Sequence, residues 1–167
     1  MTTPVSPLLR KARRLGLRGV EALIAAAVSR GCDHYRPASA AGLEVPVPSI
    51  HELGDDELVI LLLLGENAYE PMAIRCAAQL ARSPRIVPVR LARLARLEKT
   101  ERVLAHVARA GLEHGSEAQE FWQTLVDELP GARPRPEPEL PHWTRFVSMP
   151  GLQRGGVAPT RWLVPRP

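Results

Sequence analysis

A chain of 167 residues, 45% apolar but only 4% aromatic, can bury one ordinary core of Leu, Ala, Val and Ile and is too apolar for a disordered polymer. Two cysteines, Cys32 and Cys76, are too few for a disulfide framework or a Cys-rich metal site, and the net charge of +4 is modest. Leu58–Leu64 is too short to cross a bilayer, and Glu21 interrupts the apolar stretch that follows the N-terminal arginines, so the expectation is a cytoplasmic chain with free thiols and no targeting leader.

Charge is unevenly placed. Residues 1–36 carry seven basic and two acidic side chains, residues 37–129 nine and fourteen, and residues 130–167 six and two. A basic head and a basic tail flank an acidic middle, which marks interaction segments or ends that neutralise the middle.

In chain order, the first segment, 1–31, reads as a basic amphipathic helix from Pro7 to Arg30. Ser6 suits the cap and Pro7 the first helical position. Gly16 and Gly19 weaken its middle and allow a kink or a close contact. Residues 32–48 read as an extended connector, because Pro37, Gly42, Pro46 and Pro48 break helix. Residues 49–129 read as a helical core of about five short helices. Ser49 and Glu52 have capping-box spacing, and Asp55 and Asp56 suit the start of the helix that runs to Leu64. Pro71 opens the next helix, to Arg82, and Pro88 the one to Leu97. A helix from Thr100 to Ala110 follows, and Ser116 and Gln119 form a second capping box before a helix to Leu129. Residues 130–167 are a proline-rich, aromatic tail holding nine of the 17 prolines. Its apolar side chains, Trp143, Phe146, Trp162 and Leu163 among them, are costly to leave in water and are expected to dock on the chain's own core or on another chain.

The composition and short connections imply an all-α fold, a compact helical bundle or a short array of antiparallel helices, with an extended proline-rich C-terminal tail. Pro71 and Ala73-Ile74-Arg75-Cys76-Ala77-Ala78-Gln79-Leu80, with Ser83-Pro84 behind, resemble a helix of HEAT-like repeats, and Leu91 to Leu97 have a similar texture. That resemblance covers about half of the chain and implies a protein-binding array without chemistry of its own.

Catalytic and cofactor signals are weak. Cys32-Asp33-His34 gathers a thiol, a carboxylate and an imidazole, but a metal or Cys–His site needs further ligands from elsewhere. No two histidines stand at metal-site helical spacing, and no phosphate-binding loop has its strand and helix; Gly151-x-x-x-Gly155-Gly156 lies in the tail. An enzyme would have to assemble its site from residues such as His51, Glu66, Tyr69 and Glu70. The reading is therefore a non-catalytic protein–protein interaction or structural module, an adaptor or subunit of a larger assembly, with no metal, cofactor or small-molecule substrate inferred. Its contact residues are Arg10, Arg13, Arg14 and Arg18 on the first helix, and Trp143, Phe146 and Trp162 in the tail, types that often dominate interfaces. The partner is another protein or a second copy. The alternative is phosphate-backbone binding to nucleic acid through the same basic helix, with a membrane surface as a further option.

Overall fold

Six consecutive apolar residues, Leu58–Leu63, leave a helix no polar face, and a helix that is apolar all round must sit inside the protein. The structure, a computed structural model, describes residues 5–32, 47–115, 118–130, 140–143, 146, 149–153 and 156–160. It contains α1 (Pro7–Arg14), α2 (Gly19–Ser29), α3 (Asp55–Leu63), a 3₁₀ turn (Gly65–Tyr69), α4 (Pro71–Leu80), α5 (Pro88–Leu97), α6 (Glu101–His114) and α7 (Gln119–Glu128), then β1 (Met149–Gln153) and β2 (Gly156–Thr160). The fold is all-α, and α3 is its axis. Every side chain from Leu58 to Leu63 is buried, and α1, α2, α4 and α5 all pack on this helix. Each such side chain contributes about 1.5–3 kcal/mol of burial. Its four helical neighbours are the two before it and the two after it in the chain, so the helices pack close to their order in sequence around α3.

The single helix expected from Pro7 to Arg30 is two. Ser6 caps α1 as anticipated, its hydroxyl accepting from the Leu9 N–H at 3.1 Å. The break is a glycine cap: Gly16 takes φ +84°, its N–H donates to Arg13 O, and the Leu17 N–H reaches back to Ala12 O at 2.9 Å. That pair of bonds satisfies the last carbonyls of α1, and buried Leu17 supplies the apolar contact that accompanies it. Gly31, at φ +109°, ends α2 in the same way. The other helices begin and end within a few residues of expectation, α6 running on to His114.

The Ser49–Glu52 box forms both of its bonds, Ser49 N–H to Glu52 Oε2 at 2.7 Å and Glu52 N–H to Ser49 Oγ at 3.3 Å, but on a lone turn ahead of α3. Ser116 of the second box lies outside the described residues. Gln119 instead donates from Nε2 to Gly115 O at 2.6 Å, closing the end of α6. Glycine at 111 lets α6 and α7 meet closely, since a Cβ there would stand 2.7 Å from the buried Trp122 ring.

The tail docks in cis at residues 140–143 and 146. Leu140 and Phe146 are buried, and Phe146 joins the main core. In β1 and β2, which pair antiparallel, Pro150 stands opposite Pro159, two residues with no N–H to give to a ladder. Trp162 and Leu163 lie outside the described residues.

Candidate interaction surface

α1 shows an amphipathic helix already satisfied on one side. Leu8 and Ala12 are buried in the core, while Arg10, Arg13 and Arg14 are exposed, as is Arg18 just beyond. None of these four arginines forms an ion pair with a described residue. Lys11 does: its ammonium bridges both oxygens of Glu57, at 2.7 and 2.9 Å. Successive helical residues are rotated by about 100°, so Lys11, Arg14, Arg10 and Arg13 follow one another around the helix. The acidic middle thus neutralises the edge of this face through Glu57 and leaves the rest. Glu98, beyond α5, anchors the start of α1, accepting from the Ser6 hydroxyl and from the Leu8 N–H at 3.3 Å.

Next to Glu57 a cleft of about 370 Å³ runs between the 49–54 turn, the first turn of α3 and the outer face of α5. Ile50, His51, Gly54, Asp56 and Glu57 line one side, and Arg90, Arg93, Leu94 and Leu97 the other. Leu97 is 70% exposed and Ile50 46%. The acids here are largely engaged by the chain itself. Glu57 binds Lys11 and accepts from the Gly54 N–H at 2.8 Å, and Asp56 Oδ1 accepts from the Glu57 N–H at 2.9 Å. The bases are less committed: Arg90 reaches Asp56 only at 3.6 Å, and Arg93 pairs with no described residue.

Asp55 is a different kind of residue from its neighbour. Position alone suits both aspartates to capping, but Asp55 is buried at the meeting of three segments. Its Oδ1 accepts from Arg30 Nη1 at 3.0 Å, and its Oδ2 from Ser83 Oγ at 3.0 Å and Arg85 Nε at 2.6 Å. The Arg30 and Asp55 side chains are 6% and 2% exposed. Arg30 also donates from Nη2 to Pro48 O at 3.1 Å. A buried charge this well paired holds segments in place but offers no access to a substrate.

The tail aromatics face the chain's own α6. Trp143 stacks on His114 with ring centroids 3.9 Å apart, and Phe146 meets the His106 ring edge-on at 5.5 Å. His106 Nε2 lies 2.7 Å from Pro141 O; a carbonyl only accepts, so this nitrogen carries the proton. Burial holds the His106 imidazole below its ordinary range, against the upward pull of that hydrogen bond; Arg102, Arg109 and His142 add to the depression. Phe146, expected as a partner contact, is therefore occupied within the chain, and Trp143 is half covered. Trp162 lies outside the described residues.

The remaining candidates do not converge. Cys32 and Cys76 are both buried, with the Cys32 thiol directed at Cys76 O at 3.7 Å; Asp33 and His34 lie outside the described residues. His51 stands in the cleft, whose lining includes none of Glu66, Tyr69 and Glu70. Among the described residues no group of three or more His, Cys, Asp or Glu side chains is placed to hold a metal ion, and no helix is long and apolar enough to cross a membrane. Comparison with protein families, with curated proteins and with solved structures finds no match to this chain.

Proposed function

We propose that the protein is a non-catalytic interaction module that presents the basic face of α1 to an acidic surface of another protein or of a second copy. The observation that carries this reading is the state of Arg10, Arg13, Arg14 and Arg18. They stand exposed and without an ion pair among the described residues, on a segment whose apolar stripe is already docked. Arginine is rich in donors matched to carboxylates, and a rigid helix holds several of them in a fixed pattern. The second reading, duplex nucleic acid, draws on the same arginines. It is disfavoured by Glu57, which sets a carboxylate against Lys11 at the edge of the basic face, and the lack of aromatic side chains in α1 and α2 removes the stacking that single strands use.

Titration of the parent protein and of the R10Q/R13Q/R14Q variant with poly-glutamate and with duplex DNA, over a range of salt, tests the choice. The expected result is poly-glutamate binding at physiological salt that the variant loses, with negligible DNA binding. Tight DNA binding with a steep salt slope that the variant flattens would transfer the function to nucleic acid. Binding to neither polymer would remove the basic face as a contact surface.

A further inference from the structure

The cleft beside α1 adds something that the arginines alone lack: apolar side chains left at a rim. Leu97 is the most exposed large apolar side chain among the described residues, and Ile50 lines the same opening, whose α5 wall also carries Arg90 and Arg93. The opposite wall is acidic, but its charge is already committed, Glu57 to Lys11 and to the Gly54 N–H and Asp56 to the first turn of α3. What remains for a ligand is two arginines, one unpaired with any described residue and one loosely paired, above an aliphatic strip.

The geometry points to this cleft as the docking site for an acidic peptide segment of a protein partner, one that sets aliphatic side chains between Ile50 and Leu97 while its carboxylates meet Arg90 and Arg93. Charge complementarity selects this occupant. A basic segment would meet the two arginines with Lys11 close by, and a wholly polar acidic segment would leave Leu97 in water. Arg93 and Leu97 are four residues apart on α5 and so share one face, which lets a peptide aligned with α5 reach both. The inference rests on the protein-contact reading of the basic face and supplies its apolar specificity.

The test uses the full chain and two short labelled helical peptides of Glu and Asp, one with leucines at positions i and i+4 and one with serines there. Fluorescence anisotropy should show the leucine peptide binding about tenfold more tightly, the scale expected for burying one exposed leucine. Leu97→Ser should abolish that preference, and Arg93→Gln should weaken both peptides, with thermal stability unchanged because both side chains are exposed. Equal binding of the two peptides, or indifference to Leu97→Ser and Arg93→Gln, would overturn the cleft. If R10Q/R13Q/R14Q still weakens both peptides in that case, the basic-face reading survives without it. If neither peptide binds the parent protein, the reading and the inference fall together.

Discussion

Gly111 sits in the third turn of α6, where helix propensity favours alanine by about 0.5–1 kcal/mol. On propensity alone Gly111→Ala should stabilise the protein. The packing opposes it. The added Cβ would lie 2.7 Å from Cε2 and Nε1 of Trp122 and 2.8 Å from Cδ2. Comfortable contacts between such atoms are about 3.5–4.0 Å, so the ring would have to retreat by roughly 1 Å. Trp122 is fully buried, and a rigid indole wedged between helices cannot swing aside as the end of a lysine can. Overpacking of this kind costs about 1–3 kcal/mol, enough to reverse the propensity gain. The expected net loss is about 1–2 kcal/mol, or roughly 2–8 °C in Tm for a chain of this size. Thermal melts followed by far-UV dichroism measure it directly. A Tm equal to or above the parent's would refute the packing argument. In a Trp122→Leu background the same substitution should turn neutral or stabilising, and additivity of the two changes would show that the glycine and the ring do not interact.

Three further outcomes follow from the described contacts. Asp55→Ala should cost about 3–5 kcal/mol in chemical denaturation because it strands the buried Arg30 guanidinium, whereas Asp56→Ala, next in the chain, removes an exposed pair and one cap and should cost about 1 kcal/mol; similar losses from both would dismiss the buried hub. The depressed imidazole of His106 makes stability depend on acid: the unfolded chain takes up this proton near pH 6.5, the folded chain only at lower pH, so stability is complete above about pH 6.5 and falls as pH drops below it. Melts between neutral and mildly acidic pH should show that slope, and His106→Asn should flatten it. Lys99 holds φ +59° at the end of α5, where the Thr100 N–H bonds Ala95 O at 2.8 Å; Lys99→Gly should relieve strain and raise Tm slightly, by up to about 1 kcal/mol in stability. A lower Tm would mean that the lysine's own contacts outweigh its backbone.

Helices α3 to α7 were legible because their signals are local: a proline opening α4 and α5, acids in the first turn of α3, and an apolar run with no polar face. The break between α1 and α2 has a local signal too, Leu15-Gly16-Leu17, a glycine cap with its apolar follower, which the same residues share with a merely weakened helix. The Asp55 hub was not. Asp55 and Asp56 are chemically identical and adjacent, and only the positions of Arg30, Ser83 and Arg85, distant in the chain, make one of them a buried partner. The exposed arginines of α1 follow from helical periodicity, whereas the cleft needs the 49–54 turn and α5 to be brought together across α3. The cis docking of Phe146 on His106 and of Trp143 on His114 is likewise hidden, because both histidines look in sequence like any solvated ones.

Arg30 fastens more than a carboxylate. It stands just before Cys32, and its Nη2 holds the carbonyl of Pro48, so one guanidinium ties together the two feet of the chain that leaves at residue 32 and returns at residue 47. Described residues alone, at the end of α2 and just ahead of the 49–54 turn, thus hold the two feet together. Lengthening an inserted flexible linker costs only about 0.6 kcal/mol for each doubling. A reporter or a second domain inserted there, with a flexible linker on each side, should leave the melting behaviour of the helices nearly unchanged, whereas the same insertion between α3 and α4 would pull apart the centre of the molecule.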